Sequence, residues 1–521
     1  MSELDKYIKI RDDFSKDLEQ VSVNLEKCCW DFYINSNHDN MDKYEQAQDE
    51  YSKLFQDNKD IFIKLTEIDK TKLPKHEAKQ LKDLLKEFDE ELNSGEDLKA
   101  LRQKENEIAQ KYNSYVHAID GKEVSKADIT KIIQTETNPQ IRKKAYDAKI
   151  KGGDLIANDL IDFVKMRNNY AKTKGYDNYF NYKLKEDYDV DTDFLDKIIN
   201  DVYAKAQNKI KKLQDKRQKE LKEFFEVEKL EGYHFGLLLD SNPEKGVNSI
   251  LEKITNHKNI IEYLARKTYA GMGYDIEKLE AEGKLTLDLY PRKGKNTHGF
   301  CFGVEAGKDS RILANLTNNV ISLETLNHEL GHCVYDLGLS IKLPFLDRQP
   351  SSPATTEAIA MMMGDIMKME NILEGIVEKP LLDKFKATHC EDEASFVSRS
   401  LEIIDFERQL YQNPEQNPAE LWQKMREKYL NRFEDSDNEW ATIPHYLSHP
   451  AYYQNYFRAT LMKAQIYTSL VNKLGKITEN TKTAEYMNNA IFAVGASVDE
   501  YELIKNLTGK DFSVDDFVKG L

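Results

Sequence analysis

The chain has 521 residues, 40% of them hydrophobic and 32% charged, with a formal net charge of −16. That balance excludes wholesale disorder, and an acidic protein gains nothing from the counterion release that drives nucleic-acid binding. Nucleic acid and membrane are therefore not expected partners, and no run of about 18 apolar residues predicts a span.

Only 23 Gly and 12 Pro punctuate the sequence, which favours long helices over a many-turned β protein. An all-α, mainly helical fold is expected, organised as one unit over residues 1–521. Leu4, Ile8, Phe14, Leu18, Val21 and Leu25 recur at helical spacing. Further helices are predicted over residues 44–65 and 76–92, and a long one over 195–225, with Leu195, Ile198, Val202, Ala206, Ile210 and Leu213 on one face. The pattern then changes. Residues 285–290, 299–304 and 311–316 read as strands, the first alternating with period two and ending at Pro291. They predict a small sheet just before the next helix.

That helix carries the chemistry. In Thr325-Leu-Asn-His-Glu-Leu-Gly-His-Cys-Val-Tyr-Asp336, His328 and His332 stand four apart, one above the other on a helix face. Both can hold one zinc ion, while Glu329, rotated by about 100°, reaches the ion's water as a general base. A polar helix with incidental histidines would show the same five residues. A catalytic zinc wants three protein ligands and an open position. Glu357 follows His332 by 25 residues, after a turn containing Pro344, Pro350 and Pro353. It opens a second helical pattern over 355–365, for which Thr356 is the candidate cap. His328, His332 and Glu357 are thus the candidate ligands, and Asp365 is a candidate for orienting one of them.

The five cysteines are odd in number, with no CxxC, so no disulfide framework is expected. A reducing, cytoplasmic setting follows, and the first residues, MSELDKYIKIRDDFSKDLEQ, show no apolar signal core.

With these residues in view, the chain resembles the angiotensin-converting-enzyme family of zinc peptidyl-dipeptidases, which are HExxH gluzincins. The resemblance covers about residues 285–457. It rests on His298, Gly307-Lys-Asp-Ser-Arg-Ile312, the run Asn318–His332, Arg348 nine residues before Glu357, Trp422, Arg426, Lys428-Tyr429, and Tyr453-Gln-Asn-Tyr-Phe457. It implies a two-lobed prolate helical peptidase with a deep central cleft, its zinc-binding and catalytic core in 285–457, roofed by a helical lid over about 1–100. The implied substrates are short or unfolded peptides, cleaved by a monomer. His328, His332 and Glu357 would hold zinc. Glu329 would be base and proton shuttle. Tyr456 would stabilise the oxyanion, helped by His445, with His449 as the competing histidine. His298 and Gly299 would bind the substrate main chain, and Tyr453 its terminal carboxylate.

The departures weaken strict release of C-terminal dipeptides. Ile443 replaces the family's carboxylate-binding Lys, no Gln partner falls near 236–241, Met361 replaces an Asp, and Asn455 replaces a chloride-binding Arg. Chloride dependence is left open. An oligoendopeptidase of the thimet type or a metallocarboxypeptidase is the alternative, and a non-catalytic peptide-binding protein is the alternative of a different class.

Overall fold

Capping and periodicity explain most of the helices seen in the computed structural model, which describes residues 2–92, 96–254, 259–296, 299–435 and 437–521. The first, Glu3–Ile34, starts at a capping box in which Ser2 and Asp5 satisfy each other's backbone N–H. The predicted second helix is two helices, His38–Asp57 and Lys59–Thr66. The break falls at Asn58, whose side-chain amide donates back to the Leu54 carbonyl at 2.8 Å. The third runs from Lys75 to Leu92 and the long one from Thr192 to Phe225, close to expectation. The fold is mainly helical, with only small sheets. Among the described residues no helix is long and apolar enough to cross a membrane.

The chain forms two compact units, each assembled from separated stretches. The first comprises Met1–Ser94, Gly246–Lys386 and Met462–Ser513. In it, Phe14, Phe55 and Phe88 pack ring against ring with centroids 4.9–5.5 Å apart, closing a core with Tyr7, Leu18, Leu65 and Leu84. The same unit holds the predicted sheet. Asp309–Leu313 is its central strand, parallel to Leu285–Asp288 and antiparallel to the edge strand Phe300–Glu305. Trp30 and Tyr33 of the first helix pack edge-on to Phe302 and Phe300. The helix Val320–Gly338 packs on the sheet, and Pro353–Met369 packs on that helix.

The second unit comprises Gly95–Lys245, Ala387–Leu461 and Val514–Leu521. Its frame is the helix Pro139–Thr173, capped by Asn138 with Pro139 in the first turn, together with Thr192–Phe225 and His389–Gln412. A tight hairpin pairs Ala118–Ile119 with Lys122–Glu123. Arg142, fully buried, donates to the carbonyls of Ile133, Glu136, Tyr233 and Phe235 at 2.6–2.9 Å. One guanidinium thereby ties together four backbone carbonyls from two stretches of the chain.

Candidate functional site

The helix Val320–Gly338 is aimed by its surroundings. Asn319 caps it by accepting from the Ser322 N–H. The buried Tyr269 hydroxyl donates to the Asn327 carbonyl at 2.7 Å, one residue before the first candidate ligand. On the sheet side, Cys301 Sγ of the edge strand lies 3.0 Å from Cys333 Sγ, and Ser310 Oγ of the central strand lies 3.3 Å from Asp336 Oδ2. All five cysteines are free.

The partner helix Pro353–Met369 is capped by Ser352, whose hydroxyl accepts from the Thr355 N–H at 3.1 Å, with Pro353 in the first turn. This corrects the expectation for Thr356. That residue sits inside the helix, and its hydroxyl lies 2.7 Å from Nδ1 of His332. The two helices touch where both have small residues. A Cβ on Gly331 would stand 2.9 Å from the Ala360 Cα and 3.3 Å from the Met363 Cβ. This contact carries Glu357 to the histidines.

His328 Nε2 lies 3.6 Å and His332 Nε2 3.9 Å from Glu357 Oε2. The three ligand atoms fall within 4.8 Å of one another. Two atoms bound tetrahedrally to zinc at about 2.0–2.1 Å stand roughly 3.3–3.4 Å apart, so the observed spacings fit such an ion after a shift of a few tenths of an ångström. The donor set, two imidazoles and a carboxylate, suits zinc. Burial keeps both rings neutral, with His328 lowered to about 4 and His332 held well below the ordinary range, which leaves their lone pairs available. Asp365 acts on His328 in the opposite sense, favouring its charge, and itself pairs with the buried Lys463 at 2.5 Å.

Glu329 is buried. Burial, and then the neighbouring charge of Glu357, push its carboxyl up to about 8, while a hydrogen bond from the Cys301 backbone opposes that rise. The base candidate is thus held by the edge strand that runs beside it.

His445, His449, Tyr453 and Tyr456 lie in the second unit. His445 begins a one-turn helix, His445–Ser448, and the tyrosines open the helix that starts at Tyr453. The His445 ring stands 4.7 Å from Tyr453 and 6.0 Å from Tyr456. His449 is exposed, hydrogen-bonded to Ser448 at 2.7 Å, and its tyrosine contact is with Tyr452. Burial, then His449, lowers the pKa of His445 to about 4. His298 lies outside the described residues. Gly299 is exposed and directly precedes the edge strand. Ile443 is buried. Arg426 is also buried, paired with Asp437 and Glu439 and with Glu402 and Glu434 within 3.9 Å, so carboxylates already meet its charge.

Two further groups around the histidine helix escaped the sequence reading. Thr356 stood next to Glu357 but was assigned to the cap. The Cys301 N–H carried no sequence signal, since any residue at that strand position would supply it.

Comparison with known proteins corrects the family. Residues 132–521 match the model of Peptidase family M3. Oligopeptidase PepF of Bacillus subtilis is 23% identical over 380 residues, covering 68% of this chain and 52% of that protein. Oligoendopeptidase F homolog of Borreliella burgdorferi is 23% identical over 411 residues, covering 74% and 64%. Saccharolysin of Saccharomyces cerevisiae is 21% identical over 471 residues, covering 76% and 65%. The chain thus spans less than two thirds of each of these relatives. The angiotensin-converting-enzyme resemblance rested on short motifs, and M3 is a distinct family that the longer match selects. The chain belongs to peptidase family M3.

Proposed function

We propose that the chain is a zinc-dependent oligopeptidase that cuts internal bonds of short or unfolded peptides. The observation that carries this is the convergence of His328, His332 and Glu357, with two histidine–carboxylate spacings of 3.6 and 3.9 Å. Those three side chains would hold the ion. When bound, zinc lowers the pKa of water and polarises the scissile carbonyl.

The chain's own residues then account for the proton. Glu329 takes one proton from the attacking water, whose oxygen bonds to the carbonyl carbon. As the C–N bond breaks, Glu329 returns that proton to the departing nitrogen, so it ends as it began. Its hydrogen bond from the Cys301 backbone keeps the carboxylate pointed while it does so. For Tyr456 and His445 we propose hydrogen bonding to the developing negative charge, a role worth about 10²–10³ in kcat per donor. His445 is preferred to His449 because its ring, not that of His449, adjoins Tyr453 and Tyr456. His298, Gly299 and Tyr453 are retained as substrate-binding candidates from the resemblance. Chloride has no part in this proposal, because Arg426 is paired with carboxylates.

Internal cleavage is favoured over dipeptide release on two grounds. In the angiotensin-converting-enzyme resemblance the position of the carboxylate-binding Lys is taken by Ile443, and an apolar side chain cannot pair with a free C-terminus. Two of the relatives are named as an oligopeptidase and an oligoendopeptidase homolog. Digestion of one peptide with a free and an amidated C-terminus, followed by mass spectrometry, tests this. Equal internal cleavage of both is expected, and dipeptides released from the free form alone would overturn the endopeptidase reading. Glu329→Gln should keep its zinc and lose turnover. A fully active Glu329→Gln enzyme would refute the base, and purified protein unable to bind zinc would refute the metal centre.

A further inference from the structure

The segment 444–453 carries His445 and leads into the helix of Tyr453 and Tyr456, and two buried side chains, an arginine and a glutamate from two different helices, grip its backbone. Arg167, in Pro139–Thr173, has a side chain 3% exposed. Its Nη1 donates to the Tyr446 carbonyl at 2.7 Å and its Nη2 to the Leu447 carbonyl at 2.5 Å. These are end carbonyls of the one-turn helix His445–Ser448, which is too short to satisfy them internally. The guanidinium is itself fixed, 3.9 Å over the Phe163 ring, 3.2 Å from the Tyr411 hydroxyl and 3.5 Å from Glu105.

Glu407, in His389–Gln412, grips the other end. Its Oε1 accepts the Ala451 N–H at 3.0 Å. Ala451 is buried and has φ +60°, a left-handed conformation that a non-glycine residue keeps only when its surroundings impose it. The Tyr188 hydroxyl adds a longer contact to the Pro450 carbonyl at 3.4 Å. The chain is thus pinned one and two residues after His445 and two residues before Tyr453.

We propose that Glu407 and Arg167 are positioning residues, holding the backbone of 444–453 so that His445 and Tyr456 keep their mutual geometry. The inference rests on the reading of His445 and Tyr456 given above. Neither positioning residue touches the reacting atoms. Each acts through the segment it grips, so its effect on rate should vanish once His445 is gone. Burial pushes the Glu407 carboxyl up to about 8, and because Glu407 acts only as an acceptor for the Ala451 N–H, a glutamine can take its place.

The test is a set of double-mutant cycles on the full chain, with zinc content and thermal melting measured for every variant. Glu407→Ala and Arg167→Lys, made separately, should each lower kcat about 10-fold or more and leave KM within about 2-fold. In a His445→Ala background the same changes should alter kcat by less than about 2-fold, because the shared pathway is already lost. Glu407→Gln should retain at least about half of the wild-type kcat, since its side-chain carbonyl still accepts the Ala451 N–H. Independent, multiplicative losses would overturn the inference, as would folded Glu407→Ala and Arg167→Lys enzymes of wild-type rate. Failure of both to fold would assign the network to stability alone and also overturn it. His445→Ala and Tyr456→Phe as single variants test the underlying reading. If both are fully active, that reading falls and the inference falls with it. If they are impaired while the cycles are additive, only the inference falls.

Discussion

Gly331→Ala should damage the metal centre without touching a ligand. The added Cβ would stand 2.9 Å from the Ala360 Cα and 3.3 Å from the Met363 Cβ. The nearest atom is backbone, so a rotamer change cannot relieve the contact, and carbon atoms pack at about 3.5–4.0 Å. The two helices must therefore part by roughly 1 Å. Overpacking of this kind costs about 1–3 kcal/mol, offset by about 0.5–1 kcal/mol from replacing a mid-helix glycine with alanine. The net loss is about 0–2.5 kcal/mol, centred on about 1 kcal/mol. The displacement falls between the helix of His328 and His332 and the helix of Glu357. Their spacings of 3.6 and 3.9 Å already sit slightly wide of an ideal tetrahedron. Ligand distances tolerate only about ±0.2 Å, so Glu357 should lose its hold and zinc should bind at least about 10-fold more weakly, the lower end of what disturbed ligand geometry costs. Chelator competition reads the affinity, and melting in chelator reads the packing term. Gly364→Ala is the control. On the same helix pair its Cβ would meet Glu324 and His328 atoms at 3.4–3.5 Å, near ordinary contact, so it should be tolerated. Wild-type zinc affinity and melting in Gly331→Ala, or equal damage in Gly364→Ala, would refute the reasoning.

Thr356→Val should weaken zinc about 10–100-fold by removing the hydroxyl that fixes the His332 ring, whereas Thr356→Ser should stay close to wild type; chelator competition separates the two. Thermal melting should show a pH dependence from His76, whose Nε2 lies 2.9 Å from Asp347 Oδ1. The Asp347 hydrogen bond raises the His76 pKa above its ordinary 6.5. The stability it contributes is therefore complete below that value and lost as pH rises through the higher folded one. Melting temperature should fall over this window in the wild type and less so in His76→Gln, and parallel curves would refute the pairing.

What the sequence disclosed tracks the range of the interaction responsible. His328, Glu329 and His332 were legible because helix geometry alone relates positions i, i+1 and i+4. The helix pattern after Pro353 was legible too, and Ser352-Pro353 was a readable start that the choice of Thr356 passed over. Residues 44–65 read as one helix because their apolar period runs through Asn58, where a local side-chain bond ends the first helix. The central strand begins at Asp309, two residues before the predicted 311, because the turn at Gly307 sets Asp309 directly opposite Glu305. Asp120-Gly121, both at positive φ, was an unused hairpin signal. Arg167 and Glu407 were not legible at all. Their partners are backbone atoms 44 to 280 residues away, and backbone groups leave no mark in a sequence. The family assignment failed for a related reason. Short motifs shared by zinc peptidases report the chemistry, while the match that distinguishes M3 is spread thinly along residues 132–521.

The metal centre therefore joins two kinds of information. Two of the proposed ligands and the proposed base come from one helix by local geometry, but the third proposed ligand comes only through the close contact at Gly331 and Ala360. Metal affinity and helix packing are then thermodynamically linked. Zinc that binds the folded state stabilises it by RT ln(1 + [L]/Kd). At saturation, a variant with 10-fold weaker zinc forfeits about 1.4 kcal/mol that the wild type gains. Gly331→Ala should accordingly lie further below wild type in excess zinc than in chelator, by an amount set by its measured Kd ratio. Thr356→Val should show the zinc-dependent part alone, because its valine fills the same space without forcing the helices apart. If both variants show the same deficit with and without zinc, the contact shapes the fold but does not deliver the ligand.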